Sequence, residues 1–166
     1  LERLWSPWRA EYIDSFKEQK EHDNECFFCT AVSDAEHARE HLVLHSSKHA
    51  IVMMNKFPYN NGHLLIAPKI HTNDILALPD EVFADVSALT RQCVSVLKEV
   101  YSPQGFNIGA NLGRAAGAGV PSHLHYHVLP RWNGDTNFLL VISEVKVISE
   151  DINETYEKLF VHCSRW

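Results

Sequence analysis

The sequence predicts an antiparallel β-sheet covered on one face by a single long helix, and three sets of residues carry that expectation. Residues 123–128 (HLHYHV) alternate histidine with apolar or aromatic side chains, which is the period of a strand. Residues 41–45 (HLVLH), 49–54 (HAIVMM) and 63–67 (HLLIA) are apolar runs separated by the turn-forming segments SSK and NKFPYNNG, so they read as neighbouring antiparallel strands. Residues 79–100 place Val82, Val86, Leu89, Cys93, Val96 and Val100 three or four apart, with Phe83 and Leu97 widening the stripe. That is the pattern of an amphipathic helix lying on a sheet.

The remaining segments fall around this frame. In residues 1–24, Trp5, Trp8, Tyr12 and Ile13 are too apolar for a free tail; an arm packed on the domain or on a partner subunit is expected. Residues 25–32 (ECFFCTAV) hold a C-x-x-C pair, and residues 33–40 form a polar loop or short helix. Pro79 suits the first turn of the long helix, and Asp80 and Glu81 suit its positive end. Residues 106–110 read as a short strand, and residues 111–119 (NLGRAAGAG) as a glycine-rich approach to the histidines. Pro130 is expected to end the histidine strand. Residues 138–148 read as a further strand region, and a short helix is expected around residues 155–160. The 166 residues show no internal repeat and are expected to form one domain, residues 1–166, with 133–166 as a C-terminal extension.

Composition narrows the function classes. The net charge of -6 weighs against general nucleic-acid binding, which needs a basic surface. No apolar run is long enough to span a bilayer, and no signal peptide is visible, so no membrane partner is expected. One C-x-x-C pair, Cys26 and Cys29, with isolated Cys93 and Cys163, suits a reducing cytoplasm and one metal or redox site better than a disulfide framework. Cys93 falls in the apolar helix stripe and is expected to be structural.

The chemistry concentrates in the histidine row. Alternation puts His123, His125 and His127 on one strand face, with neighbours about 7 Å apart at roughly 3.3 Å per residue. Such a row fits a metal site or a catalytic one, with a surface accident as the bland alternative. Gly113, Gly117 and Gly119, with Arg114, lead directly into it; backbone N–H groups exposed by such a loop can hold phosphate oxygens. Two thiols two residues apart can supply half of a zinc site.

At this point the chain resembles the histidine triad (HIT) superfamily. The residues concerned are HLHYHVL at 123–129, preceded by Asn111 and the glycine-rich turn and followed by Pro130 and Arg131. The segments LWSPWRAEYI, CFFC, NKFPYNNGHLLIAPKIH, NLGRAAGAG and PRWNGDTNF are similar to the bacterial branch related to diadenosine tetraphosphate phosphorylases. The resemblance implies an α+β, HIT-like fold, a curved antiparallel sheet of about five strands with one long helix, commonly as a homodimer. It implies a nucleotide substrate cut or transferred at the α-phosphate, with inorganic phosphate as a second substrate in a phosphorylase. It also implies His125 as nucleophile, flanked by His123 and His127, with Asn111 beside the reacting phosphate. Asn55 takes the ribose-contacting position, where simpler relatives usually have an acid. Cys26, Cys29, His71 and His123 match the ligands of structural zinc in zinc-containing relatives.

A neutral imidazole attacks phosphorus to give a nucleotidyl-histidine. A protonated His127, or backbone donors of the turn through Gly117, Gly119, Val120 and Pro121, would stabilise charge on the phosphoryl oxygens. A zinc-stabilised nucleotide hydrolase or transferase acting on dinucleoside polyphosphates is the leading expectation, and phosphorolysis of diadenosine tetraphosphate to ADP and ATP is what the resemblance to the phosphorylase branch implies. Hydrolysis of nucleoside phosphoramidates and a nucleotide-binding regulator with little turnover are its rivals. His22, His37, His41, His45, His49, His63 and His162 are expected to be structural or exposed.

Overall fold

Five strands form one antiparallel sheet: β1 (Val43–Ser46), β2 (Ala50–Met54), β3 (Leu64–Pro68), β4 (Gly105–Ala110) and β5 (Tyr126–Arg131), in the spatial order β1-β2-β3-β5-β4. The structure is a computed structural model and describes residues 26–135 and 148–166. The N-terminal arm and nearly all of the strand expected at 138–148 lie outside the described residues. Among the described residues three helices accompany the sheet: α1 (Phe27–Ser33), α2 (Asp80–Tyr101) and α3 (Ile152–Cys163).

The apolar runs of β2 and β3 are continuous because both sheet faces are covered. Ala50, Val52, Met54, Leu64 and Ile66 face Val86, Leu89, Cys93, Val96 and Leu97 of α2. Ile51, Met53, Leu65 and Ala67 face Phe28 and Ala31 of α1 instead. Period two thus sends alternate residues into two cores, and all ten positions of β2 and β3 are buried. Helix α2 runs as its stripe predicts. Pro79 is its N-cap residue, and Ser102 ends it in the left-handed region at φ 47°.

Two expectations are corrected. The C-terminal helix is longer than residues 155–160; it spans Ile152–Cys163, capped by Asp151, whose carboxylate accepts from Asn153 N–H. Its Tyr156, Leu159 and Cys163 enter the main core, so burial lengthens a helix that propensity alone leaves short. Pro130 does not end the histidine strand, because β5 continues through it to Arg131, pairing with Phe106 and Gly105 of β4. The β3–β5 ladder spans only Leu64↔Val128 to Ile66↔Tyr126. Beside Pro130 the strand β3 has not yet begun, so a missing N–H costs no ladder bond there. The Pro130 carbonyl accepts from Asn60 Nδ2 at 3.0 Å.

The turn at residues 55–63 is held from two sides. Asn60 Nδ2 also reaches Asp135 at 2.8 Å, and Asp135 in turn takes two N–H groups of Arg131. Asn61 Nδ2 donates to Glu150 at 3.2 Å. Glu150 also accepts from Tyr101 Oη at 2.6 Å and Thr155 Oγ1 at 2.8 Å, and it pairs with Lys158. Burial alone would raise this carboxyl, but the donors from Lys158, Tyr101, Thr155 and Asn61 hold it down at about 2.

Gly62 sits in this turn at φ +69°, and a Cβ there would lie 2.9 Å from Leu97 Cδ2. Gly62→Ala should therefore lower the unfolding free energy by about 1–3 kcal/mol through backbone strain. Gly105→Ala, where a Cβ meets nothing within 4 Å, should change it by less than about 0.5 kcal/mol. Urea unfolding midpoints of the two variants test the contrast.

Candidate active site and metal centre

The C-x-x-C pair lies at the start of α1, with Cys26 as its N-cap residue. Packing of Phe28 and Ala31 against the sheet turns both thiols toward the segment that enters β5. Cys26 Sγ lies 3.2 Å from His123 Nδ1, Cys29 Sγ lies 3.2 Å from His71 Nδ1, and Cys29 Sγ lies 3.6 Å from His123 Nδ1. One ligand atom from each of Cys26, Cys29, His71 and His123 falls within 4.8 Å of all the others. A tetrahedron with metal–sulfur bonds near 2.3 Å and metal–nitrogen bonds near 2.0 Å has edges of about 3.3–3.8 Å, so these contacts fit a single metal ion. His123 Nε2–H donates to the Pro68 carbonyl at 2.8 Å, which leaves Nδ1 unprotonated and aimed at the cluster. The cluster is therefore able to coordinate a metal.

The histidine row only partly follows its predicted geometry. Regular strand pairing starts at Tyr126, so His123 and His125 stand on the approach to β5. His125 is buried, with Phe28 packed on it and on His123 at ring-centroid distances of 5.0 Å. His125 Nδ1–H donates to the carbonyl of His123 at 2.9 Å. A carbonyl can only accept, so the ring proton is on Nδ1 and Nε2 keeps its lone pair. Burial lowers the pKa of His125, against the opposing pull of that backbone bond. Both ring nitrogens of His123 are engaged by the cluster and Pro68, so what it offers His125 is its carbonyl.

His63 was expected to be structural or exposed, and the structure puts it inside the site. It is fully buried at the entry to β3, with Nε2 2.9 Å from His127 Nδ1. Tyr59 N–H and Asn55 Nδ2 both approach His63 Nδ1 at 3.2 Å. A backbone N–H only donates, so Nδ1 is the acceptor and the His63 proton is on Nε2. His63 then donates to His127 Nδ1, which leaves the proton of His127 on Nε2. That Nε2 is buried with no hydrogen-bond partner among the described residues, an orphan donor of the kind that marks a ligand position. Burial, then the neighbouring His127 and His125, push His63 down to about 3; burial, then His125, push His127 to about 4. His127 is thus a neutral donor, which corrects the expectation of a protonated one. The signal for His63 lies in strand pairing: Leu65 pairs with His127, so His63, two residues earlier, shares its face. Pairing partners are not written in a single sequence.

The other expected residues surround this core. Asn55 is turned onto His63, and its Oδ1 accepts from Phe57 N–H at 2.9 Å. Asn111 Nδ2 donates to the Gly117 carbonyl at 3.3 Å and ties down the glycine-rich turn. That turn wraps a short 3-10 segment, Arg114–Ala116, between Gly113 and Gly117, both at positive φ. Gly119 and Val120 follow, then Pro121, which has no N–H to offer. Leu124 N–H donates to the Thr72 carbonyl at 2.6 Å and draws the His71 segment against the histidines. A cleft of about 260 Å³ opens beside His127, with Tyr59, His63, Gly109, Asn111 and Leu129 in its wall.

Residues 36–134 match the HIT domain model. The chain is 34% identical over 167 residues to the AP-4-A phosphorylase of Mycobacterium tuberculosis, covering 99% of this chain and 86% of that protein. Its fold is similar to the crystal structure of a zinc-bound histidine triad family protein from Mycobacterium smegmatis, with a TM-score of 0.66 and 27% identity over 85% of this chain and 94% of that one. A hypothetical histidine triad nucleotide-binding protein from Sulfolobus tokodaii aligns with a TM-score of 0.64 and 26% identity, over 84% of this chain and 90% of that one.

The uncharged pair makes stability depend on pH. His63 and His127 have folded pKa values of about 3 and about 4, against an ordinary value near 6.5 in the unfolded chain. Between these values the unfolded state binds more protons, so stability rises with pH. It should be complete above about pH 6.5 and fall as the pH drops toward 4. Urea midpoints at pH 7.5, 6 and 5 check this, and His63→Gln should flatten the slope; an unaltered slope would mean that His63 is not its source.

Proposed function

The chain belongs to the HIT domain family, and on that footing we propose that it is a nucleotidyl hydrolase or transferase acting at the α-phosphate of dinucleoside polyphosphates. Phosphorolysis of diadenosine tetraphosphate to ADP and ATP is the specific reaction we infer. The observation that carries this reading is the pairing of an unprotonated Nε2 on His125 with an unpartnered Nε2–H on His127. One atom is a nucleophile and the other a donor for the oxygen that gains charge. The 34% identity to a phosphorylase over nearly the whole chain supports the choice of substrate.

In this mechanism His125 Nε2 attacks the α-phosphorus. A P–N bond forms, the bond to the bridging oxygen breaks, and ATP leaves. His127 Nε2–H stabilises the charge that develops on oxygen, and the N–H groups of Gly119 and Val120 cradle the non-bridging oxygens, while Gly117 N–H closes the turn onto the Arg114 carbonyl at 2.9 Å. Pro121 shapes the turn. Asn111 stands beside the phosphate through its hold on Gly117, and Asn55 takes the ribose. An oxygen of inorganic phosphate then attacks phosphorus, the P–N bond breaks, ADP leaves and His125 is restored; water in that role gives AMP. Burial keeps the nucleophile neutral at pH 7.

Cys26, Cys29, His71 and His123 would hold a structural zinc ion, whose contribution is to fix the geometry of the segment bearing His123. Two sulfurs and two nitrogens make a set closed to substrate. The edge strand β4, with Ile108 half exposed, is the surface we assign to a homodimer.

Product analysis with diadenosine tetraphosphate tests the reaction. With inorganic phosphate the products should be ADP and ATP. AMP and ATP in both conditions would make the protein a hydrolase, and no turnover across dinucleoside polyphosphates and phosphoramidates would make it a binder. His125→Ala should lower kcat by on the order of 10³-fold or more while nucleotide affinity persists; full activity would refute the nucleophile. Cys26→Ser should lower zinc per chain and the melting temperature before it lowers kcat. Unchanged metal content by mass spectrometry would remove the zinc assignment.

A further inference from the structure

The cleft beside His127 is rich in hydrogen-bond donors. Among the described residues no Asp or Glu lines it. His127, with its unpartnered Nε2–H, stands in its wall, and so does Asn107. Arg131 Nη1 donates to Asn107 Oδ1 at 2.7 Å. A guanidinium only donates, so the oxygen of this carboxamide faces Arg131 and its Nδ2 protons face away. That Nδ2 has no partner among the described residues.

Strand pairing sets the donors in a row. His127, Leu129 and Arg131 lie two apart on one face of β5, opposite Gly109, Asn107 and Gly105 of β4, while Tyr126 and Val128 turn the other way into the main core. Steps along such a face are about 7 Å, at roughly 3.3 Å per residue. By reaching Asn107, the partner of Leu129, the Arg131 guanidinium comes back to about one such step from His127. Gly109 keeps the space between them open, because a Cβ there would meet nothing within 4 Å. Asp135 fixes the guanidinium from behind, taking Nε–H at 2.7 Å and Nη2–H at 3.0 Å. The Asp135 side chain is 7% exposed and that of Arg131 43%, so the carboxylate is covered and the cation faces water. Three of its five N–H groups are used, which leaves two for a ligand.

A neutral imidazole donor, an outward-facing carboxamide and an oriented guanidinium in line suit a chain of phosphates; a single phosphate would meet only the first of them. Direction agrees. His125 does not line the cleft, whereas His127 does, and in-line displacement puts the leaving group opposite the nucleophile. The departing portion therefore runs from His127 toward Arg131. We propose that the cleft receives the polyphosphate chain of the leaving nucleotide, and that Arg131, with Asn107, holds its distal phosphates and selects substrates with a long chain. This rests on the reading of the site as one that acts on dinucleoside polyphosphates.

Two pairs of compounds that differ in chain length provide the test. Diadenosine tetraphosphate and diadenosine diphosphate present the same attacked phosphorus, but the first releases a nucleoside triphosphate and the second a monophosphate. Inorganic tripolyphosphate and inorganic phosphate probe the cleft without any turnover. The unaltered protein should prefer the longer member of each pair, in kcat/KM and in calorimetric Kd. Arg131→Gln should reduce both preferences by about ten-fold or more, the effect of losing one charge-assisted contact. Arg131→Lys should reduce them less, because the charge stays and only the fork is lost. Asn107→Asp, at an exposed position that keeps the Arg131–Asp135 pair, should also reduce both by setting a carboxylate against the chain. If Arg131→Gln weakens both members of each pair equally, Arg131 serves only the fold, and the subsite is overturned while the function stands. If Asn107→Asp leaves both preferences intact, the chain does not lie in this cleft. If the unaltered protein turns over neither dinucleotide yet binds tripolyphosphate through Arg131, the function falls and the anion site stands. Equal binding of tripolyphosphate and phosphate by the unaltered protein would overturn the subsite.

Discussion

One peptide carbonyl, that of His123, takes the Nδ1 proton of His125, and the tautomer of the buried histidine depends on that bond. A free imidazole exchanges its proton between two nitrogens; here the carbonyl selects one tautomer and turns the other nitrogen outward. The carbonyl is itself held in place by its own residue. The His123 ring is pinned between the two thiols and the Pro68 carbonyl. The cysteine pair on α1, the end of β3 and the approach to β5 therefore meet in one residue, and His125 takes its orientation from their agreement. A metal ion in the cluster would tighten that agreement without touching substrate.

A second hydrogen-bonded chain runs from the opposite side. It begins at a backbone N–H, that of Tyr59, passes through both nitrogens of His63 and ends at the unpartnered Nε2 of His127. The direction of every proton in it follows from the first donor. One histidine is thus left with a lone pair and its neighbour with a proton, their ring centroids 4.9 Å apart. Both states arise from backbone groups, with no charged side chain required to set them.

Much of this was legible in the sequence because its signals are local. The stripe of α2 and the C-x-x-C spacing each lie within one element, whereas the alternation of residues 123–128 describes a regular strand only from Tyr126 onward. What stayed hidden depends on contacts between distant segments. His63 belongs to the site because β3 pairs with β5 in one register, and a single sequence does not state that register. Pro130 looks like a strand end until the late start of β3 beside it is known. Residues 152–163 look like a short tail helix because the core that extends it comes from β1 and α2. Phe28, which packs against two of the histidines, reads in isolation as ordinary apolar filler between two cysteines.

Glu150 gathers donors from the end of α2, from α3 and from the turn that leads to His63. The final segment of the chain, remote from any recognisable motif, thereby braces the turn that carries His63 against His127. A grafting design that transplants only the residues matched by the HIT domain model would leave out the strut that keeps the 55–63 turn in place.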